Sequence, residues 1–249
     1  MKVLISGING HMGKIVYDLV SKNDNEFEFA CGVDPYLSDD CKCNLCVKSF
    51  SKAVTDVDVI IDFSHHSATE NLIEFATKNN IALVLATTGQ TEEELSMIKE
   101  ASKKVPLFFA SNYSLGIALL VELAKKTASV MEDAEVEIVE VHHNRKVDAP
   151  SGTALTLANE IKTVREDSEI VCGRSGECKR KPNDIGVNSV RMGNIAGIHE
   201  VYVGTQNQTI TLKHEAHDRA VFAEGALSAA KFIVGKAPGL YDMNDLLNV

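Results

Sequence analysis

Short apolar runs alternate with amphipathic stretches through the first half of the chain. Residues 2–6, 27–33, 57–63, 81–86 and 106–110 are apolar runs of strand length. Between them apolar positions recur at helical spacing, most clearly over 11–22, 66–79 and 91–103. Apolar strands separated by helices predict a parallel sheet covered on both faces.

The pattern changes after Ser114. It predicts a helix over about 115–131, a strand Glu135–His142 and a second helix after Ser151. Residues 172–197 are polar, contain glycine and have weak periodicity, so no element is assigned there. Strong alternation over 198–204 and 208–214 predicts an antiparallel hairpin around Gly204-Thr205-Gln206-Asn207. A helical pattern runs from Asp218 to about 234, and a short segment ends the chain. At 249 residues two domains are expected. The prediction is an α/β protein with a Rossmann-like dinucleotide-binding domain over 1–113 plus 218–249 and a second, α+β domain over 114–217.

Composition narrows the function classes. The 45% hydrophobic and 24% charged residues are ordinary for a soluble globular protein, and no stretch has the roughly 18 uninterrupted apolar residues of a membrane span. The chain opens on Lys2-Val3-Leu4-Ile5-Ser6 without a signal or transit pattern, so a cytoplasmic protein is expected. A net charge of −10 argues against a nucleic-acid partner or an anionic membrane surface. The six cysteines then read as thiols. Cys43-Asn44-Leu45-Cys46, with Cys41 nearby, has zinc-like internal spacing, but Cys172 and Cys178 are poorly spaced for a second pair. A thiol-rich loop and no metal are expected.

An acidic chain that binds an anion needs a local cationic pocket. The densest candidate is His142-His143-Asn144-Arg145-Lys146, followed by Val147-Asp148-Ala149-Pro150-Ser151-Gly152-Thr153. Histidine exchanges protons near neutral pH, and lysine and arginine hold anions. Ser-Gly-Thr before an apolar run offers hydroxyls and unpaired helix-start amides to a carboxylate or phosphate. Proton donors beside an anion cradle suggest an active site for a small acidic substrate; a solvated basic loop would explain the charges but not the paired histidines.

Gly7-Ile8-Asn9-Gly10-His11-Met12-Gly13 follows the first strand and opens the first helix, as a dinucleotide loop does. Its spacing is G-x-x-G-x-x-G, not the commoner G-x-G-x-x-G. Asp34, about 20 residues beyond Gly13 at the end of the second strand, is placed to accept from the adenosine ribose hydroxyls. Ala86-Thr87-Thr88-Gly89 and Ala110-Ser111-Asn112-Tyr113 follow later strands, at the sheet edge where ligands bind.

These residues together resemble the 4-hydroxy-tetrahydrodipicolinate reductase (dihydrodipicolinate reductase) family over nearly the whole chain. The resemblance lies in the Gly7–Gly13 loop, Thr87-Thr88-Gly89, Asn112-Tyr113-Ser114, His142-His143 with Lys146 through Thr153, and Arg191-Met192-Gly193 with Gly197 and His199. It implies NAD(P)H-dependent reduction of a small cyclic dicarboxylate in lysine and diaminopimelate biosynthesis. The second domain would then bind substrate and assemble a homotetramer through its sheet. His142 and Lys146 stand where the family keeps its proton-transferring groups, and His143, Gly152 and Thr153 where it holds substrate carboxylates. Gly7, Ile8, Asn9, Gly10, His11, Met12, Asp34, Ala86, Thr87, Thr88, Ala110, Ser111, Asn112 and Tyr113 would line the cofactor.

The chain also departs from the family's pattern. Ala86 replaces a common glycine, which is harmless only at negative φ. His11 and Pro35 stand where NADPH-preferring members tend to carry arginines, so NADH is expected to be preferred, with NADPH possible. Two other readings remain at this point: another two-domain NAD-dependent dehydrogenase of a small amino or hydroxy acid, and a non-catalytic dinucleotide-binding redox sensor. A sensor has no need of convergent proton donors.

Overall fold

In the computed structural model, which describes residues 1–22, 26–37 and 45–248, the chain divides into two compact units. Met1–Ser114 with Ala220–Val249 form one, and Leu115–Arg219 the other.

The first unit is built on β1 (Lys2–Ser6), whose Val3, Leu4 and Ile5 are wholly buried. After α1 (His11–Lys22) the chain adds β2 (Glu28–Val33) and the two-residue β3 (Cys46–Val47) on one side of β1. It adds β4 (Val59–Asp62), β5 (Ala82–Leu85) and β6 (Pro106–Phe109) on the other, through α2 (Thr69–Asn79) and α3 (Glu92–Ser102). All pairings in this sheet are parallel. β1 lies between β2 and β4, so strand order reverses at its C-terminal end, the point where open α/β sheets bind ligands. α3 starts on a reciprocal cap: Thr91 accepts from Glu94 N–H while Glu94 accepts from Thr91 N–H.

The second unit is a five-stranded mixed sheet in the order β11-β10-β7-β9-β8. Here β7 is Glu135–His142, β8 Glu169–Cys172, β9 Asp184–Arg191, β10 Gly197–Gly204 and β11 Thr209–Ala216. β10 and β11 form the predicted hairpin. Helices α4 (Leu115–Val130) and α5 (Gly152–Thr163) share a core with the inward positions of β7, β9 and β10, among them Val136, Ile138, Val187 and Val201.

Two pieces differ from the sequence expectation. The polar stretch 172–197 contains β9, a full strand several of whose polar residues find partners on neighbouring segments. Gly186 leaves the space that the Glu137 carboxylate occupies, Asn188 donates to Glu137 at 3.2 Å, and the carboxylate of Asp184 accepts from Arg174 at 3.1 Å. The unassigned C-terminal segment, after α6 (Ala220–Ile233), supplies β12 (Gly239–Tyr241), parallel to β6, and α7 (Met243–Leu247).

Candidate active site

In the first unit, the turn from β1 into α1 is fixed by its glycines. Gly7 has φ +79°, and a Cβ there would lie 2.6 Å from Phe63 O; one on Gly13 would lie 2.1 Å from Gly7 O. The protein's own backbone therefore requires these two glycines. They let the loop close tightly, with Gly10 N–H donating to Gly7 O at 3.0 Å, and leave exposed Asn9, Gly10 and His11 at the helix start. The first amides of a helix lack internal partners and favour an anion. Ile8 is buried and Met12 half-buried.

Asp34 is only 6% exposed, and its carboxylate braces this loop. Asn9 N–H donates to Oδ2 at 3.0 Å and Tyr36 N–H to Oδ1 at 2.8 Å. Each oxygen keeps acceptor capacity for a ribose hydroxyl. Beyond it a cavity of about 390 Å³ is lined by Pro35, Phe50 and Phe75, with Lys48 and Lys78 on its wall.

At the ends of β4, β5 and β6 a buried network appears that the sequence reading missed. Asp62 is 1% exposed and accepts from Thr87 Oγ1 at 2.6 Å and Ser64 N–H at 3.3 Å. Burial raises its pKa, against hydrogen bonds from Ser64, Thr87 and Ser6 that lower it. Tyr113 is buried too, its hydroxyl 2.9 Å from Leu85 O and 3.2 Å from Phe108 O. The side chains of Thr87 and Tyr113 thus hold the loops together, while Thr88 and Ser111 are the exposed members and Ala110 and Asn112 are half-buried. Asn112 caps its own turn by accepting from Ser114 N–H at 2.8 Å. Positive φ among the described non-glycine residues occurs at Asn80 and Asn248 and not at Ala86, so the glycine that Ala86 replaces is not needed here.

The second unit gathers the basic–histidine segment around the end of β7. Alternation along β7 turns Val136, Ile138, Glu140 and His142 to its covered face. Glu140, with no side-chain exposure, lies between Ser189 and His199 in register, and His142 lies opposite Arg191. Arg191 grips Glu140 with two bonds of 2.8 and 2.7 Å, His142 Nδ1 lies 2.5 Å from its Oε2, and Ser151 N–H donates to its Oε1 at 3.0 Å. Burial alone would raise the Glu140 pKa, but hydrogen bonds from Arg191, His142, Ser189 and Ser151 bring it down to about 2.

Ser151 also caps α5, its Oγ accepting from Ala154 N–H at 3.2 Å and lying 3.2 Å from His199 Nε2. His199 stacks edge-on to His142, ring centroids 5.2 Å apart. Burial, and then His142, push its pKa down to about 4, so His199 is neutral near pH 7. Lys146 is paired with Asp148, Nζ to Oδ1 2.8 Å. His143 is anchored by its backbone to Ile195 O, and its ring is pushed down in pKa by burial and then by Arg145, Arg219, His142 and Lys146. The cations that disfavour a charged His143 would stabilise a bound anion. Gly152 opens α5 at the surface, and a Cβ there would meet nothing within 4 Å. Histidine and lysine side chains and an open helix start therefore share the stretch from His142 to Thr153.

Glu140 and Arg191 were not singled out for this role by the sequence reading. The signal was available: Glu140 and His142 are two apart on one alternating strand and so share a face. Among the described residues no three His, Cys, Asp or Glu are placed to hold a metal, and no helix is long and apolar enough to cross a membrane. Cys41 and Cys43 lie outside the described residues; Cys46 lies in β3.

Comparison with known proteins gives a consistent result. The family descriptions "Dihydrodipicolinate reductase, N-terminus" and "Dihydrodipicolinate reductase, C-terminus" match residues 1–113 and 116–247. The chain is 48% identical to the 4-hydroxy-tetrahydrodipicolinate reductase of Caldanaerobacter subterraneus subsp. tengcongensis, over 99% of this chain and 98% of that one. It is 44% identical to the protein of the same name from Alkaliphilus oremlandii, over 100% and 99%. Its fold is similar to that of a dipicolinate-bound dihydrodipicolinate reductase from a Paenisporosarcina species, with a TM-score of 0.82 and 24% identity over 97% of each chain.

Proposed function

The chain belongs to the dihydrodipicolinate reductase family, and from that premise we propose that residues 142–153 are its active site. It is an NAD(P)H-dependent oxidoreductase that reduces 4-hydroxy-tetrahydrodipicolinate to tetrahydrodipicolinate in lysine and diaminopimelate biosynthesis. The observation that carries the site assignment is the meeting, within one connection, of His142, Lys146 and the open start of α5.

On this reading the dicarboxylate lies with one carboxylate on the amides and hydroxyl of Gly152-Thr153 and the other at His143. Lys146 stands by the ring nitrogen. When bound, the nicotinamide supplies the hydride. As electron density builds on the ring nitrogen, Lys146 and His142 stabilise it and deliver the proton, and the 4-hydroxyl leaves as water in the overall reaction, so that a hydride and a proton enter and one water departs. Arg145 and Arg219 add positive charge around the dianion.

The glycine loop, Asp34 and the loops at 86–88 and 110–113 hold the dinucleotide, and we assign them a preference for NADH. Asp34 is acceptor-only when ionised and disfavours a 2′-phosphate, and neither His11 nor Pro35 carries a permanent charge against it. Lys48 and Lys78, on the cavity beyond Pro35, are the cations that leave NADPH usable.

Two further parts belong to the same reading. The enzyme works in the cytoplasm, where a biosynthetic reductase draws on NAD(P)H. It assembles as a homotetramer through the sheet face opposite α4 and α5, where Val139, Val141, Ile198 and Tyr202 remain partly exposed. Neither involves nucleic acid or a membrane.

The reaction is tested with NADH and the condensation product of aspartate semialdehyde and pyruvate, generated in place. Loss of the NADH signal that depends on that product supports the reading. NADH stable in its presence, or oxidised equally without it, refutes it.

A further inference from the structure

The carboxylate of Glu140 accepts from Arg191 twice, from Ser151 N–H and from the Ser189 hydroxyl, besides its contact with His142 Nδ1. Such a group is ionised at any working pH and can only accept. His142 Nδ1 must therefore carry a hydrogen whether the ring is neutral or charged. The proton that comes and goes sits on Nε2, beside Gly197, where β10 has no side chain to cover it.

We propose that Glu140 is the positioning residue of the proton-transfer site: it fixes the His142 ring with Nδ1–H turned inward and Nε2 as the exchanging nitrogen, and ties that ring to the start of α5 through Ser151. This rests on the reading of His142 as a proton-transfer group. The two oxygens of Glu140 have separate tasks, Oε2 facing the imidazole and Oε1 the amide that precedes the carboxylate cradle. Arg191 keeps the carboxylate charged and stationary, and donates besides to Asp148 O at 2.7 Å, bracing the 142–151 connection at a second point. The bonding nitrogen of a histidine is set by the partner on its other nitrogen.

The groups facing His142 make the expected pH effect definite. Glu140 is on its own strand, Arg191 on β9, and His199 on β10 with His214 beyond it on β11; His143, Lys146 and Asp148 are in the connection. Glu140→Gln removes the only buried anion of this group and leaves Arg191 uncompensated. Both changes lower the affinity of His142 for its proton.

The test is long-range ¹H–¹⁵N spectroscopy of histidine-labelled full-length enzyme, with His142 assigned by its loss in His142→Asn. The wild type is expected to show neutral His142 as the Nδ1–H tautomer, a readout that does not depend on any variant folding. Glu140→Gln is expected to admit the Nε2–H form, to lower kcat about a hundredfold, and to move the histidine limb of the pH profile to lower pH. A wild-type ring in the Nε2–H form, or a folded Glu140→Gln variant with an unmoved limb, overturns the proposal. If His142→Asn keeps wild-type turnover, the assignment of His142 to the reaction fails instead, whatever its tautomer.

Discussion

Lys146 Nζ lies 2.8 Å from Oδ1 of Asp148, across a single intervening residue. Lys146 holds the Asp148 carboxyl below its ordinary pKa, so that carboxylate is ionised through the neutral range. Asp148 is more than half exposed, and an ion pair of that kind is worth about 0–1 kcal/mol. Asp148→Asn should therefore change kcat less than about fivefold. Steady-state kinetics decide the point: a loss of a hundredfold or more would make the ion pair, not the lysine alone, the working unit.

The open start of α5 predicts a separation of folding from binding. Gly152→Ala adds a methyl where nothing lies within 4 Å, so thermal stability should hold. The methyl would stand in the proposed carboxylate cradle, raising KM for the dicarboxylate and weakening pyridine-2,6-dicarboxylate, which should compete with substrate. Unchanged inhibition constants in the variant would count against the cradle. A drop in melting temperature with binding intact would make Gly152 a structural residue only.

For the cofactor, NADH should have the higher kcat/KM, by roughly tenfold to a hundredfold, the worth of one hydrogen bond to a charged group. Because Asp34 also braces Asn9 and Tyr36, Asp34→Asn should weaken NADH and relax the preference together. Equal or better kcat/KM with NADPH in the wild type would contradict this and give the leading part to Lys48 and Lys78.

Stability should fall in acid in two steps. His199 is held neutral by burial, its pKa at about 4 against 6.5 for the free side chain, so between those values the unfolded chain binds the extra proton and stability drops as pH falls. Glu140, at about 2 against 4.5, contributes stability that is full above 4.5 and is lost as pH falls toward 2. Each step is on the order of 3 kcal/mol. Urea titrations at pH 7, 5 and 4 should show the first loss, and His199→Gln should flatten it; an equal slope in that variant would assign the acid sensitivity elsewhere.

The first unit was readable because its strands are buried on both faces and therefore appear as unbroken apolar runs, as Val59-Ile60-Ile61 does. β9 was not, because Gly186, Asn188 and Arg191 are chosen by their partners Glu137 and Glu140 across the sheet, which no local pattern displays. The same holds at the site. His142, Lys146 and the Ser151–Thr153 start are contiguous and visible in sequence. Arg191 and His199 reach them only through strand pairing. Asp62, a carboxylate inside an apolar run, is explained by Thr87, which is 25 residues away.

Turnover of Lys146→Ala and His142→Ala in the coupled NADH assay, with NADH affinity measured separately, decides whether residues 142–153 are the active site. General acid–base groups contribute roughly 10²–10⁴-fold. The kcat should fall within that range for Lys146→Ala and by a comparable or smaller factor for His142→Ala, with the NADH dissociation constant unchanged in both. Near wild-type kcat in both variants, with their folds intact, would contradict that assignment.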